Sequence, residues 1–333
     1  MKVYAYRNID SVAMKSSSGG AFLKIIDTIV NRFGNKKYAI YGAAWSQDLK
    51  VKHMRVADKK DAAIFCGSKY VRSDIGGVYP DVRKDLENGL GVIFTGTPCQ
   101  IYGLKAFLKT KGQDISNLYT IDIICHGTPN PIVWEDCKNW LEREYKGNIK
   151  SVTFRDKSIS WKRYPTSIEL QDGRNIRYTF KTNLYIRMFL SLFIIEKRCF
   201  LCPFSNLNRN SDITLGDYWG IDNILPETYS KKGVSLILSN TEKGNCVIEG
   251  MNSNLKTEES LVETHSQEFL KYQHNLNKPT EKPAGYEDFW KNYKNHGFEW
   301  IINKYNFMSV KKCLKFYVKK QLIKMDYFDK RLS

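Results

Sequence analysis

The residues of this sequence best suited to chemistry are cysteines. Cys199 and Cys202 stand three apart in RCFLCPF, Cys99 closes the run GVIFTGTPC, and Cys125 closes LYTIDIIC. Two thiolates do not complete a metal site, so the C-x-x-C pair needs ligands from elsewhere in the chain. Four thiolates without an accompanying histidine pattern would suit a tetrahedral zinc ion or an iron-sulfur cluster. The competing role for each is that of a small buried hydrophobe, and among eight cysteines a stray C-x-x-C is unsurprising. Cys137 falls in a helical pattern and Cys313 in a basic tail; these two, with Cys66 and Cys246, are expected to be structural.

Bringing the four thiols together makes demands on the elements that carry them. GVIFTG has the pattern of a buried strand, breaks at Thr97-Pro98-Cys99, and runs into QIYGLKAFLKTKG, where Ile101, Leu104 and Leu108 share a helical face. LYTIDII repeats the pattern, breaking at Cys125-His126-Gly127 ahead of the helix PIVWEDCKNWLEREY. Successive strand-helix units imply parallel strands, so Cys99 and Cys125 are expected at strand carboxyl ends, the edge where open α/β sheets bind ligands. Each also opens a turn toward a helix, whose dipole would favour the thiolate.

The remaining pattern fills in the architecture. AFLKIIDTIVNRFG is an amphipathic helix, with Phe22, Ile25, Ile26, Ile29 and Val30 at helical spacing. YAIYGAAW and VKHMRV read as paired strands, DAAIF and VYPDVRKDLEN as helical pieces, and GSKYVRSD as a loop between them. From Ser151 the runs SVTFRDK, TSIEL and NIRYTF, with an Asp172-Gly173 turn signal, predict an antiparallel hairpin region. NLYIRMFLSLFII is a helical run that delivers the cysteine pair, DITLGDYWGI and GVSLILS are strands, and TEKGNCVIEGM is a helix. The expected class is α/β: a mixed, partly parallel sheet flanked by helices, with an antiparallel hairpin region and a helical basic C-terminal tail.

With 333 residues, 42% hydrophobic and 26% charged, the chain can bury a substantial core. It opens without the apolar core of a signal peptide, and its longest apolar run, Met188 to Ile195, is too short to cross a bilayer, so a cytoplasmic protein with reduced thiols is expected. A net charge of +17 would suit phosphate-rich partners, yet no groove-reading helix or aromatic platform marks a specific nucleic-acid binder. Residues 281–333 hold twelve Lys or Arg against six Asp or Glu, and Lys311 to Lys324 reads as a basic amphipathic helix. Such a helix either docks by its apolar stripe with a solvated basic face or lies on an anionic membrane surface.

In order, SSGGAF, GSKYVRSD, TGTPCQIYGLK, DIICHGTPNPIVW, the C-x-x-C pair and DITLGDYWGI resemble the coenzyme F420 hydrogenase/dehydrogenase beta subunit family of iron-sulfur flavoproteins. The match runs from Ser16 to Ile221 and fades toward Tyr305. The resemblance implies that Cys99, Cys125, Cys199 and Cys202 hold one 4Fe-4S cluster, that FAD is bound, and that electrons pass to the deazaflavin coenzyme F420 or to another small-molecule substrate. It implies a flavin and iron-sulfur catalytic domain over 1–280, with a strand-helix part (1–150) and a hairpin and C-x-x-C part (151–280), followed by the basic tail at 281–333. Many relatives begin with a ferredoxin-like C-x-x-C-x-x-C-x-x-x-C-P run, which this sequence lacks, so an external ferredoxin-like carrier is expected to supply electrons. Relatives without the deazaflavin, often encoded among polysaccharide-building genes, are the nearer match in texture.

FAD needs a pyrophosphate seat, and Ser17, Ser18, Gly19 and Gly20 directly before a strong helix offer one, the alternative being a plain helix start. Lys69, Tyr70 and Arg72 could neutralise phosphate and stack on a ring, or form a solvated basic loop. Thr97 and Gln100 adjoin Cys99 and could touch the flavin. Asp217 could accept a hydrogen bond from the cofactor or cap local backbone, and Trp219 could stack or belong to the core. His126, beside Cys125, is the candidate proton donor, with orientation of a ligand as its other role. Two rival readings are a zinc-stabilised binding module and a basic binder of anionic polymers or nucleic acid.

Overall fold

The computed structural model of the chain describes all residues except Tyr164, Ser266 and Ser333; the side chains of 322–332, including the end of the basic helix Lys311 to Lys324, also lie outside the description. In chain order its regular elements are β1 (Lys2–Arg7), α1 (Asp10–Lys15), α2 (Ala21–Phe33), β2 (Tyr38–Trp45), β3 (Val51–Val56), α3 (Val78–Glu87), β4 (Gly91–Gly96), α4 (Pro98–Thr110), β5 (Leu118–Ile123) and α5 (Pro131–Tyr145). There follow β6 (Ile149–Thr153), β7 (Ser167–Leu170), β8 (Asn175–Arg177), α6 (Leu184–Leu190), β9 (Ile213–Asp217), α7 (Ile221–Ile224), β10 (Ser235–Ser239), α8 (Glu242–Ser253), β11 (Ser260–Glu263), α9 (Tyr286–Lys304) and α10 (Val310–Leu332).

Two compact units result. The first takes Met1–Thr128, Lys157–Tyr164 and Lys197–Glu281, and the second takes Pro129–Asp156, Pro165–Glu196 and Lys282–Ser333. The second unit therefore joins the hairpin strands and α5 with the basic tail, segments that the sequence reading assigned to different domains.

The first unit is built on an eight-stranded sheet in the order β11-β1-β10-β9-β5-β4-β2-β3. Its centre is parallel: β2 pairs with β4, β4 with β5, and β5 with β9. The flanks are antiparallel, with the β2–β3 hairpin on one side and β10, β1 and β11 on the other. This is the mixed, partly parallel sheet expected. Strand period accounts for the layering, because successive side chains point to opposite faces. Tyr4, Tyr6, Ile40, Ile93, Ile121, Ile213 and Ile237 pack under Ile25, Ile26 and Ile29 of α2 and Val247, Ile248 and Met251 of α8. Their sequence neighbours Ala39, Tyr41, Val92 and Phe94 face α3 and α4, meeting Val82, Leu86, Ile101, Leu104 and Leu108. Val3, Ala5, Leu236 and Leu238 bury Trp161, Tyr218 and Phe269 on that second face. Each large apolar side chain so buried contributes about 1.5–3 kcal/mol.

In the second unit β6, β7 and β8 form a small antiparallel sheet, turned at Asp172-Gly173, where Gly173 takes φ +86°. Trp134, Phe154 and Tyr185 pack ring against ring at 5.2–5.4 Å. Tyr293 of α9 donates to Asp136 Oδ2 of α5 at 2.6 Å, and Tyr286 donates to the Ile195 carbonyl at 2.7 Å. Helical geometry within α9 breaks at Gly297, whose φ is +76°.

Candidate functional site

Parallel pairing aligns the carboxyl ends of β4, β5 and β9, and from these ends run Thr97-Pro98-Cys99, Ile124-Cys125-His126 and Asp217-Tyr218-Trp219. At β4 the chain turns straight into α4. Gln100 Oε1 accepts the Thr97 backbone N–H at 2.9 Å, while Gln100 Nε2 donates to Ser73 Oγ at 2.9 Å. The Gln100 side chain, expected near a flavin, is thus used to close the helix start and tie down the loop before α3. Cys99 sits exposed in the first turn of α4, and Thr97 Oγ1 lies 3.1 Å from its sulfur.

Cys125 differs from the sequence expectation. α5 begins only at Pro131, so no helix start adjoins this thiol. Burial pushes the Cys125 thiol up to about 12; the Gly127 N–H opposes the shift, and the neighbouring thiols of Cys99, Cys199 and Cys202 add like charge. Cys125 is therefore within electrostatic reach of all three others. Cys199 lies in the short 3-10 turn Lys197–Leu201 and takes contacts of 3.5 Å from both the backbone N–H and the hydroxyl of Thr128. Among the described residues no group of three or more His, Cys, Asp or Glu side chains closes to the spacing of a single ion. A cubane binds each thiolate to a different iron, so its four sulfurs stand further apart than ligands of one ion, and an all-cysteine donor set suits it. A thiol held protonated by burial gains a partner when a metal replaces its proton.

What positions the C-x-x-C loop is a pair that the sequence reading missed. Arg209 and Asp122 meet at 2.9 Å with side chains 2% and 0% exposed. The same guanidinium donates to the carbonyls of Phe204 at 2.9 Å and Ile123 at 3.2 Å, and through Nε to Thr214 Oγ1. Arg209 thereby pins the loop after Cys202 to the end of β5. The signal was a lone carboxylate inside the apolar run LYTIDII.

The glycine-rich loop lies at the same sheet edge but faces the sheet. A Cβ on Gly19 would stand 2.3 Å from the Tyr6 carbonyl oxygen, so glycine is required there by packing against β1 and β10. Ser18 Oγ donates to the Val234 carbonyl at 2.7 Å, and the buried Lys157 ammonium donates to the carbonyls of Ala13, Ser18 and Lys232. Gly20, at φ +84°, caps α2, and Ser17 Oγ accepts from Ser68 Oγ at 2.8 Å. The loop Gly67–Asp74 therefore touches the glycine loop through Ser68 and the Cys99 helix through Ser73.

Lys69 donates to the carbonyls of Phe65, Cys66 and Gly67, and burial lowers its ammonium to about 8. Tyr70, in the same loop, is half-buried. Asp217 Oδ1 accepts the Trp161 indole N–H at 2.8 Å, and the two indoles Trp161 and Trp219 stack at 4.9 Å, so both residues have structural partners. His126 Nδ1 meets Asn275 Oδ1 at 3.1 Å, and its own carbonyl accepts from Thr280 Oγ1 at 2.9 Å. Since the amide oxygen accepts only, Nδ1 carries the hydrogen. Burial lowers the His126 pKa, which keeps the ring neutral.

Among the described residues no helix is long and apolar enough to cross a membrane. No curated protein matches the chain in sequence. A chain of the F420-reducing [NiFe] hydrogenase complex from Methanosarcina barkeri, solved as a xenon derivative, shares the fold with a TM-score of 0.54 at 13% identity, over 90% of this chain and 94% of that one. The family profile for the C terminus of the coenzyme F420 hydrogenase/dehydrogenase beta subunit matches residues 90–264, a stretch that contains Cys99, Cys125, Cys199 and Cys202. Because that match spans more than half of its length, the chain belongs to the coenzyme F420 hydrogenase/dehydrogenase beta subunit family.

Proposed function

We propose that this oxidoreductase is an iron-sulfur flavoprotein that takes electrons from an external carrier at a 4Fe-4S cluster held by Cys99, Cys125, Cys199 and Cys202 and delivers them, by way of FAD, to a small organic substrate. The observation that carries the reading is that Cys99 and Cys125 follow the carboxyl ends of two adjacent parallel strands, with the Cys199 sulfur held at 3.5 Å by Thr128, three residues beyond Cys125. When bound, the cluster would carry single electrons and the flavin would pair them for substrate reduction.

The residues of the chain have separate tasks. Thr128 and the Arg209–Asp122 pair hold the cysteine loop against β5. His126, neutral and hydrogen-bonded to Asn275, orients the Cys125 segment. The flavin is assigned to the loop before α2 and the Gly67–Asp74 loop, which are joined through Ser17 and Ser68 and tied to the start of α4 through Ser73 and Gln100. Leu201, between Cys199 and Cys202, is 85% exposed, with Arg198 exposed beside it; both support docking of an acidic carrier protein at this edge. The substrate is coenzyme F420 or another metabolite, including an intermediate of polysaccharide synthesis.

Anaerobic purification tests the reading. A brown protein with iron and acid-labile sulfide in equal amounts and a flavin spectrum is expected. Serine at any of the four cysteines should bleach the cluster, whereas Cys246→Ser should leave it intact. A colourless protein with stoichiometric zinc, or a cluster that survives serine at all four cysteines, would overturn it.

A further inference from the structure

Among its described residues, the basic helix α10 is held through the side that carries Phe316 and Lys320. Phe316 packs edge-on against Tyr178 and Phe180 at 5.1 and 5.6 Å, and Lys320 Nζ donates to the Tyr178 carbonyl at 2.7 Å. On the helix surface away from Phe316 lie Val310, Leu314 and Val318, exposed by 74%, 63% and 61%, with Tyr317, 43% exposed and edge-on to Phe316, at its margin. At 3.6 residues per turn these four fall within an arc of about 100°, a continuous apolar stripe rather than scattered side chains. Lys311, Lys315 and Lys319, each exposed, form the next row along the helix. From Val310 to Gln321 there are five lysines and no carboxylate.

The charge selects the occupant. A second copy of the chain laid on this stripe would bring two lysine rows together in a molecule already at +17, a like-charge arrangement that opposes self-association. An anionic lipid surface satisfies both halves of the helix: the apolar stripe enters the boundary between headgroups and acyl chains, and the lysines reach the headgroups along their own flexible stems. We propose that α10 is a peripheral membrane-binding helix for anionic lipid, with Val310, Leu314 and Val318 as the inserted row and Lys311, Lys315 and Lys319 as the headgroup contacts. The proposal stands apart from the redox reading, since it rests on no cysteine or cofactor.

The test is co-sedimentation of the full-length protein with vesicles of one-third phosphatidylglycerol in phosphatidylcholine, beside vesicles of phosphatidylcholine alone. Binding to the anionic vesicles and none to the neutral ones is expected. Each lysine changed to glutamine in the row 311, 315, 319 should weaken binding about fivefold, the effect of one basic residue near an anionic surface. Leu314→Glu with Val318→Glu should weaken it at least tenfold while the circular dichroism spectrum is unchanged, because both positions are exposed. Failure to sediment with anionic vesicles, or sedimentation unaffected by the two glutamates, would refute insertion of the stripe. So would a concentration-dependent dimer dissociated by the same substitutions, which would make the stripe an interface between copies.

Discussion

Removing the guanidinium of Arg209 should both destabilise the first unit and loosen the cysteine loop. With its side chain 2% exposed against an Asp122 that is fully buried, Arg209→Ala leaves a carboxylate without its counter-charge and deletes bonds to the carbonyls of Phe204 and Ile123. Breaking a buried ion pair by removing one member costs about 3–5 kcal/mol. For a unit of roughly 200 residues, 3 kcal/mol lowers Tm by roughly 6–12 °C. Asp122→Ala with Arg209→Ala, which removes both charges, should lose less than the sum of the single changes. The assay is thermal unfolding followed by circular dichroism, with iron measured per chain after anaerobic isolation. Arg209→Ala should lose iron at temperatures where the fold persists, because the loop after Cys202 is no longer pinned to β5. A single variant that melts within 2 °C of the parent protein, or additive losses in the double variant, would refute a coupled buried pair as the support of this loop.

Other expectations follow from the same geometry. Leu201→Asp or Arg198→Glu should slow cluster reduction by an acidic ferredoxin-type protein about tenfold yet leave reduction by a small viologen unchanged in stopped-flow absorbance. Gly19→Ala should cost about 1–3 kcal/mol in denaturant unfolding, since its Cβ would stand 2.3 Å from the Tyr6 carbonyl oxygen. His53 is buried against Phe94, and burial lowers its pKa from 6.5 to about 4. Its contribution to stability is present above pH 6.5 and is lost as the pH falls toward 4, because the unfolded chain binds a proton that the folded ring refuses. By pH 5 the loss should reach about 2 kcal/mol, and His53→Gln should flatten the dependence of Tm on pH between 7 and 5.

How far the sequence revealed this protein depends on how local each signal was. The strand-to-helix switch at Gly96, the end of β5 at Ile123, the α2 stripe and the Asp172-Gly173 turn are set by neighbours in sequence, and they were legible. β1 and β11, on the antiparallel side of the sheet, escaped because their pairing is long-range, β1 being buried on both faces and β11 spanning only four residues. The setting of Cys125 also escaped: the loop 124–130 lies between β5 and α5, a spacing that apolar periodicity does not register. Ser18, Gly19, Gln100 and Asp217 looked like cofactor contacts because loop residues at strand ends are often free to bind. Here each has a protein partner that is remote in sequence, among them Val234, Tyr6, Ser73 and Trp161, and no local pattern discloses such pairings.

The polypeptide crosses between its two compact units at residues 128, 156, 164, 196 and 281, so neither is a contiguous stretch of gene. A fragment ending at 281 would keep α5 and the hairpin strands while discarding Tyr286 and Tyr293, which bond to Ile195 and Asp136. Such a truncation would strand an apolar surface in water and invite aggregation, whatever became of the redox centre. Neither half of this molecule can be borrowed by simple cutting; a working minimal version would have to be re-stitched with new connections at each crossing.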